Sequence, residues 1–350
     1  MVTHSKTKAI RNEKLNRVGL SKVDYKGRPT TLCQGCGHNS ISSQIIAACY
    51  EMSIKPEQVI KISGIGCSSK SPTYFLGNSH GFNSLHGRMP SIATGAVLAN
   101  TTLKAIGISG DGDTASIGIG QFIHLLRRNV PMVYIVENNG VYGLTKGQFS
   151  ATADKDLELK KVGVNPFMPV DVCMEALIAN CGFVSRSFAG DPKQVKELIK
   201  AALSFNGTAV IDIISPCVTF NNRGESTQSY SWSRAHKYPL HDITWVPKRE
   251  EIDVTYKPGE VTEVSMHDGS TLTLRKLERD YDPTNRFDAL QLLDEAYRAH
   301  ILVTGLIYFN EEQPALPDIE DMVEIPLAYL PESALRPSEE SLKQVMETFR

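Results

Sequence analysis

Gly110-Asp111-Gly112-Asp113 and, one predicted helix later, Asn138-Asn139-Gly140-Val141 are the two motifs that decide the predicted fold. The run LKAIGIS before the first motif is short and apolar, as is VPMVYIV before the second, and both patterns indicate buried strands. Residues 114–128, which lie between them, carry apolar side chains at helical spacing. A strand, a helix and a strand with short connections form a βαβ unit, so we expect the two strands to be parallel neighbours. The sequence therefore predicts an α/β fold with a mainly parallel sheet and helices on both faces.

Asp111 and Asn139 each follow one of these strands. Open α/β sheets place their ligands at the carboxyl ends of the strands. A carboxylate, an amide oxygen and a nearby backbone carbonyl are hard oxygen ligands, which suit a Mg²⁺ ion that also holds phosphate oxygens. The glycines beside Asp111 allow a bulky anion to approach the backbone. Gly-Asp-Gly by itself is often only a turn after a strand, but the Asn pair after the next strand favours the metal site.

The composition is that of an ordinary globular protein. The chain has 350 residues, of which 41% are hydrophobic and 22% charged, enough for one large domain and a smaller appendage. A net charge of −2 argues against a nucleic-acid-binding protein, which would need a concentrated basic surface. No apolar run has the length of a membrane span, and the N-terminus lacks the apolar core of a signal peptide. We therefore expect a cytoplasmic protein without a membrane partner.

Four of the seven cysteines lie where they could share one site. Cys33 and Cys36 come from one tight turn, whereas Cys67 and Cys217 each follow a predicted strand in a turn that contains Gly or Pro. Four such thiolates can hold an iron–sulfur cluster, and their spacing does not distinguish this from a zinc site or a redox-active pair. Cys49, Cys173 and Cys181 lie in apolar helical patterns and are predicted to be core residues.

The chain divides into three predicted parts. Residues 1–30 form a basic N-terminal arm, flexible or laid on a partner, and residues 31–235 contain the motifs above. Residues 236–350 are an extension with little core of its own, which we expect to pack on a partner. In the middle part, His86 and Arg88 flank a glycine and suit contacts to an anion or substrate, although a structural turn with a surface arginine is the alternative.

These motifs together, in this order, resemble the beta subunit of 2-oxoacid:ferredoxin oxidoreductases over roughly residues 30–225. The resemblance depends on CQGCGH from Cys33, GIGCSSK from Gly64, HGR from His86, GDGD from Gly110, NNGVYGLTKGQ from Asn138 and SPCV from Ser215. It implies a thiamine diphosphate-binding fold in the middle part of the chain. Residues 226–350 lie largely outside it.

The resemblance also implies ligands. It makes Cys33, Cys36, Cys67 and Cys217 the ligands of one 4Fe–4S cluster, and Asp111, Asn139 and the carbonyl of Val141 the ligands of Mg²⁺. The implied contacts to thiamine diphosphate come from one group of residues: His38, Ile65, Gly66, Cys67, Ser68, Thr94, Gly112, Asp113, Gly143 and Leu144. In such an enzyme thiamine diphosphate supplies the carbon chemistry, a nearby cluster removes the electrons singly, and coenzyme A takes up the acyl group.

The implied reaction is oxidative decarboxylation of a 2-oxoacid with ferredoxin as acceptor, or its reverse as CO₂ fixation. Many thiamine enzymes need a Glu against the aminopyrimidine ring, and the sequence contains no convincing candidate. The resemblance implies that this Glu comes from an alpha subunit, in a heterotetramer of two alpha and two beta subunits. Lys70, three residues after Cys67, is a cation suited to a second substrate carboxylate, which favours 2-oxoglutarate over pyruvate. A solvent-facing lysine is the alternative.

Two other classes of protein would each explain half of these motifs. A non-oxidative thiamine diphosphate decarboxylase subunit would keep Asp111 and Asn139 but would not need the four cysteines. A zinc-stabilised binding subunit would keep the cysteines but would not need the Gly-Asp-Gly and Asn-Asn motifs. The oxidoreductase subunit is the only one of the three that uses both sets of residues.

Overall fold

The computed structural model of the chain describes residues 14–247, 261–265, 271–276 and 281–349. Its α-helices are α1 Gly37–Glu51, α2 Met89–Ala99, α3 Ile119–Arg127, α4 Val172–Ile178, α5 Pro192–Ser204, α6 Tyr230–His236, α7 Arg286–Arg298, α8 Leu316–Ile319, α9 Glu332–Leu335 and α10 Glu339–Glu347. Its strands are β1 Val59–Ser63, β2 His80–Asn83, β3 Lys104–Gly110, β4 Met132–Asn138, β5 Val141–Tyr142, β6 Gln148–Phe149, β7 Glu158–Leu159, β8 Gly163–Val164, β9 Phe183–Phe188, β10 Thr208–Ile214, β11 Lys237–Pro239, β12 His241–Val246, β13 Val261–Ser265, β14 Thr271–Lys276 and β15 Leu302–Phe309.

An eight-stranded sheet in the order β11-β15-β9-β10-β4-β3-β1-β2 forms the centre of the fold. Its neighbouring strands are parallel except for β15 and β9, which are antiparallel. Strands β3 and β4 are parallel neighbours, with Ile106 opposite Val133 and Gly110 opposite Glu137, as the βαβ pattern predicts. The carboxyl ends of β1, β3 and β4 therefore meet at one edge of the sheet.

Apolar side chains pack on both faces of this sheet. Helices α1 and α5 cover one face, where Ile41, Ile45 and Leu198 are fully buried. Helices α2, α3, α4 and α7 cover the other face, where Phe122 and Leu125 are fully buried. Each such side chain contributes about 1.5–3 kcal/mol through removal of its apolar surface from water. The predicted α/β architecture with helices on both faces is confirmed.

The helix predicted over residues 114–128 is divided at Gly118. One turn of π-helix spans Gly112–Ile117, and α3 begins only at Ile119. A Cβ on Gly118 would lie 2.9 Å from the Cα of Gly87, and a Cβ on Gly87 would lie 2.8 Å from the Cα of Gly118. The two glycines therefore allow the loop after β2 to lie directly against the loop after β3.

The N-terminal arm packs on its own chain over the residues described. Tyr25 is fully buried, its hydroxyl accepts a hydrogen bond from Asn16, and its ring packs edge-on against Tyr50. Lys26 forms a β-bridge with Phe75. The sequence pointed to a loose or partner-bound arm because basic residues dominate it, but the buried tyrosine anchors it. Residues 1–13 of that prediction lie outside the described part of the chain.

Residues 281–316 also differ from the predicted extension with little core of its own. Strand β15 lies in the central sheet between β9 and β11 with all eight residues buried, and α7 buries Leu292 and Leu293 against the same core as α4. The reason is that β15 pairs with β9, whose side chains are all buried, so that β9 is not left as an open edge. The exposed extension is shorter and begins after α8. Within the described residues, no helix is long and apolar enough to cross a membrane.

Candidate active site

A cleft opens at the carboxyl ends of β1, β3 and β4. Most of the residues that the sequence selected for thiamine diphosphate or Mg²⁺ line it. The complete lining is His38, Ile65, Gly66, Cys67, Ser68, Gly110, Asp111, Gly112, Asp113, Glu137, Asn139, Val141, Tyr142 and Gly143.

Asp111 is a buried carboxyl group surrounded by donors. Its Oδ1 accepts the backbone N–H of Asn139 at 3.2 Å, and its Oδ2 accepts the N–H of Gly140 at 3.1 Å and Thr152 Oγ1 at 2.7 Å. Ser150 Oγ also donates to Oδ2. Burial raises the pKa of Asp111, and the hydroxyl donors oppose this. A cation at the cleft would stabilise the ionised form in the same way.

Asn139 lies beside Asp111 at the end of the adjacent strand. Its Oδ1 accepts the backbone N–H of Val141 at 3.0 Å, which turns the chain sharply after β4. Gly140 in this turn has φ of +72°, a conformation that favours glycine. Asp111 and Asn139, the two predicted side-chain ligands of Mg²⁺, therefore line one cleft together with Val141, whose carbonyl is the third predicted ligand.

Asp113 organises the loops around the cleft. Its Oδ2 accepts the N–H of Ile65 at 3.1 Å and Ser109 Oγ at 3.0 Å, and its Oδ1 accepts the N–H of Gly87 at 2.6 Å. A Cβ on Gly64 would lie 2.3 Å from the same carboxyl group, so the loop that leads to Cys67 needs glycine there. One buried carboxyl group thus joins the loops after β1, β2 and β3.

The four selected cysteines come together next to this cleft. Cys67 lines the cleft. Cys67 and Cys217 both lie beside Gly143, since a Cβ on Gly143 would be 3.5 Å from the Sγ of Cys67 and 3.7 Å from that of Cys217. Burial raises the pKa of Cys36 to about 12, and the charges of Glu137, Cys217 and Cys67 add to this effect. Burial also raises the pKa of Cys67, as do Cys217 and Cys33.

The seven cysteines all lie in the described ranges and form no disulfide there, and Cys33 is exposed. Cys49, Cys173 and Cys181 are buried in the core, as predicted. In the described ranges, no three Cys, His, Asp or Glu side chains converge closely enough to hold a single metal ion.

Several selected residues do not line the cleft. The side chains of His86 and Arg88 are exposed on either side of Gly87. The Thr94 hydroxyl donates to the carbonyl of Pro90 within α2. Leu144 is 54% exposed beside Gly143. Lys70 lies near Cys67, since its charge lowers the pKa of that thiol against the effect of burial.

The structure adds Glu137 and Tyr142 to the site. Glu137 is fully buried, and burial raises its pKa well above the ordinary value while a hydrogen bond from Ser71 opposes this. The Tyr142 hydroxyl donates to the carbonyl of Gly112 at 3.1 Å, so its ring covers the Gly-Asp-Gly turn. A carboxylate at the end of an otherwise apolar strand was the signal in the sequence that could have identified Glu137.

Comparisons with known proteins point to one family. Residues 64–213 match the family model described as thiamine pyrophosphate enzyme, C-terminal TPP binding domain. The chain is 41% identical over 226 residues to the 2-oxoacid:ferredoxin oxidoreductase subunit beta of Saccharolobus solfataricus. This match covers 63% of this chain and 73% of that protein. It is 40% identical over 194 residues to the 2-oxoglutarate oxidoreductase subunit KorB of Mycobacterium tuberculosis, covering 54% of this chain and 51% of that one.

A solved structure agrees with these relatives. The 2-oxoglutarate:ferredoxin oxidoreductase from Magnetococcus marinus, with 2-oxoglutarate, coenzyme A and succinyl-CoA bound, is similar with a TM-score of 0.72 and 29% identity. The match covers 95% of this chain and 96% of that one, so it includes the C-terminal part that the sequence motifs do not reach. The chain belongs to the family of 2-oxoacid:ferredoxin oxidoreductase beta subunits.

Proposed function

We propose that this chain is the beta subunit of a 2-oxoglutarate:ferredoxin oxidoreductase that binds thiamine diphosphate, Mg²⁺ and one 4Fe–4S cluster. The overall reaction converts 2-oxoglutarate and coenzyme A to succinyl-CoA and CO₂ and passes two electrons to ferredoxin. The observation that carries this proposal is Cys67, which lines the same cleft as Asp111 and Asn139 and also lies beside Cys217. One cleft thus offers an oxygen-ligand site and a thiolate site side by side.

The oxygen-ligand side suits a diphosphate held through Mg²⁺. Asp111, Asn139 and the carbonyl of Val141 would hold the ion, and the buried Asp111 carboxyl group has the raised pKa that a bound cation would lower. Gly66 has φ of +84°, and no atom lies within 4 Å of where its Cβ would be, so the backbone faces open space in the cleft. When bound, thiamine diphosphate supplies the nucleophilic carbon and the electron sink for decarboxylation.

His38 would be a neutral group in this cleft. It is buried, and burial lowers its pKa to about 4. Its Nδ1 lies 2.6 Å from Ser215 Oγ, which fixes the ring in place. A neutral imidazole can both donate and accept a hydrogen bond, so it can orient a polar group of the cofactor or substrate without adding charge.

The thiolate side suits a 4Fe–4S cluster, in which four thiolates bind four different irons. Cys67 and Cys217 both lie beside Gly143. The charges of Cys217 and Cys67 act on Cys36, and those of Cys217 and Cys33 act on Cys67, so the four thiols lie near one another. When bound, the cluster supplies one-electron transfer.

Lys70 is the proposed determinant for 2-oxoglutarate. It is only partly buried, and its positive charge acts on Cys67 at the cleft wall. A cation at this place can pair with the second carboxylate of a dicarboxylic substrate, which pyruvate lacks. The similar Magnetococcus enzyme was solved with 2-oxoglutarate bound, which supports the same substrate class here.

An alpha subunit would complete the site. The segment after α8 buries few of its own residues. It exposes a series of apolar side chains: Val323, Ile325, Tyr329, Leu335, Leu342, Val345, Met346 and Phe349. We propose that this segment packs on the alpha subunit in a heterotetramer. The alpha subunit would also provide the activating Glu, which makes the isolated beta chain inactive.

The proposal is tested on anaerobically purified protein that contains the full chain and its cognate alpha subunit. We expect about four irons and four acid-labile sulfides per beta chain, without zinc. We also expect coenzyme A-dependent reduction of ferredoxin with 2-oxoglutarate, and none with the beta chain alone. Zinc without sulfide would overturn the cluster, and faster turnover of pyruvate would overturn the substrate.

A further inference from the structure

Two segments that carry cysteines contact one buried carboxyl group, that of Glu137, and a third reaches it through His38. Ser71, on the helical turn after Cys67, donates from Oγ to Oε1 and Oε2 of Glu137 at 3.0 Å and 2.9 Å. His38, in the first turn of α1 after Cys36, places its Nδ1 3.4 Å from Glu137 Oε2. The same Nδ1 lies 2.6 Å from the hydroxyl of Ser215, two residues before Cys217.

The side chains of Ser71, Glu137, His38 and Ser215 form a connected row of polar contacts inside the protein. Glu137, Ser71 and Ser215 are fully buried, and His38 is nearly so. A Cβ on Gly37 would lie 2.5 Å from Ser215 Oγ, so the start of α1 sits directly on the serine. Hydrogen bonds in such a water-excluded place are strong, and removal of one partner leaves the others unsatisfied.

We infer that Glu137 is a positioning residue that holds the segments of Cys36, Cys67 and Cys217 in their relative places at the cleft. Among the described contacts, Glu137 forms no hydrogen bond with any of the three cysteines. It acts on their segments through Ser71 and His38. It is also the penultimate residue of β4, two residues before Asn139, so the same carboxyl group relates the thiolate site to the proposed Mg²⁺ site. The inference rests on the proposed function, since it presumes that these cysteines hold a cluster.

Three variants test this role in the full chain produced with its alpha subunit. Glu137→Gln keeps an oxygen that can accept from Ser71, Glu137→Leu removes every polar contact, and Ser71→Ala removes one donor with little change in volume. Glu197→Gln is the matched control, because Glu197 is a buried glutamate on α5 that pairs with Lys200 at 2.9 Å, away from the cleft. The readouts are iron and sulfide content, the electron paramagnetic resonance spectrum and midpoint potential of the reduced cluster, and thiamine diphosphate affinity.

We expect Glu137→Leu to lose most of its iron and sulfide and to bind thiamine diphosphate about tenfold more weakly, as for the loss of an outer-shell partner of a metal site. Ser71→Ala should keep the cluster but shift its spectrum and midpoint potential, and Glu137→Gln should restore cluster content. Glu197→Gln should match the wild type in every cluster readout.

The outcomes separate this inference from the function on which it rests. Wild-type protein without iron and sulfide overturns the proposed function and the inference together. A wild type with a complete cluster, and a Glu137→Leu variant with the same spectrum, potential and affinity, overturns the inference alone. If Glu137→Leu is insoluble, Ser71→Ala decides: an unchanged spectrum and potential overturn the inference, and a shift in both supports it.

Discussion

The carboxyl group of Asp113 accepts the backbone N–H of Gly87 at 2.6 Å, although the two residues lie on different loops. The contact is possible because Gly87 and Gly118 pack backbone against backbone. The same carboxyl group also accepts the N–H of Ile65 on the loop that leads to Cys67. The His-Gly-Arg segment that the sequence selected is therefore joined to the site through its glycine rather than through His86 or Arg88.

Replacement of Asp113 by alanine should destabilise the protein. It leaves the N–H groups of Gly87 and Ile65 and the Ser109 hydroxyl without their partner in a buried place, at a cost of about 3 kcal/mol. We expect a clearly lower melting temperature of the purified chain. Asp242→Ala, at an exposed aspartate, is the control and should melt like the wild type. Equal melting of all three proteins would refute the role of Asp113.

Gly112→Ala should weaken thiamine diphosphate binding. A Cβ at this position would lie 2.4 Å from the ring of Tyr142, which must then move at the cleft wall. Gly120→Ala is the control, because a Cβ on Gly120 meets no atom within 4 Å and alanine favours the helix by about 1 kcal/mol. Calorimetric titration with thiamine diphosphate and Mg²⁺ measures the effect. Unaltered affinity in Gly112→Ala would show that Tyr142 adapts without loss.

His241 should make stability dependent on pH between about 4 and 6.5. Burial lowers its pKa to about 4, and its Nε2 accepts the N–H of Leu306 in the neutral form. Because the folded pKa lies below that of the unfolded chain, this contribution is complete above pH 6.5 and is lost as the pH falls towards 4. The loss amounts to about 3 kcal/mol.

His241→Gln should flatten this dependence, since glutamine offers an acceptor oxygen but does not titrate in this range. The measurement is the melting temperature of both proteins at several pH values, with the difference between them attributed to His241. Parallel curves for wild type and variant would contradict the assignment.

Lys70→Ala should raise the KM for 2-oxoglutarate about tenfold, as expected for a lost charged hydrogen bond. Any activity on pyruvate should stay as in the wild type, because pyruvate has no second carboxylate. Lys70→Arg keeps the charge, and its KM for 2-oxoglutarate should lie between those of the wild type and Lys70→Ala. Equal losses on both oxoacids would instead place Lys70 in a structural role at the Cys67 loop.

Deletion of residues 337–350 should leave the folding of the chain intact but weaken its association with the alpha subunit. Helix α10 buries no residue against the described part of the chain, and Leu342 and Met346 are exposed on it. The melting temperature of the isolated beta chain should therefore not change. Co-purification of a tagged alpha subunit measures the association, and an undiminished yield would show that this segment does not bind it.

The sequence was most informative where a motif lies in one short stretch. The apolar strand before Gly110, the Asn pair after the next strand and the βαβ spacing predicted that Asp111 and Asn139 meet at one edge of a parallel sheet. The N-cap of α5 is equally local, because Asp191 directly precedes Pro192 and accepts the N–H of Gln194. Such features depend on neighbours along the chain, so local rules suffice.

Long-range packing misled or escaped the sequence reasoning. The basic residues around Tyr25 suggested an arm, and residues 236–350 were predicted to be an extension with little core of its own. Tyr25 is instead buried, and β15 joins the central sheet next to β9. No local pattern shows which strand pairs with β9, because that pairing is decided by the burial of both partners.

The sequence by itself determined the strand and turn motifs, the choice of ligand types and the family to which they belong. Only the tertiary structure decided that Glu137, His38, Ser71 and Ser215 meet in one buried place, and that Asp113 joins three loops. These residues come from separate segments, and a buried carboxyl group gains its partners only when the strands that carry them are packed side by side. The physical reason is that a hydrogen bond acts over about 3 Å in space, whatever the separation of its partners along the chain.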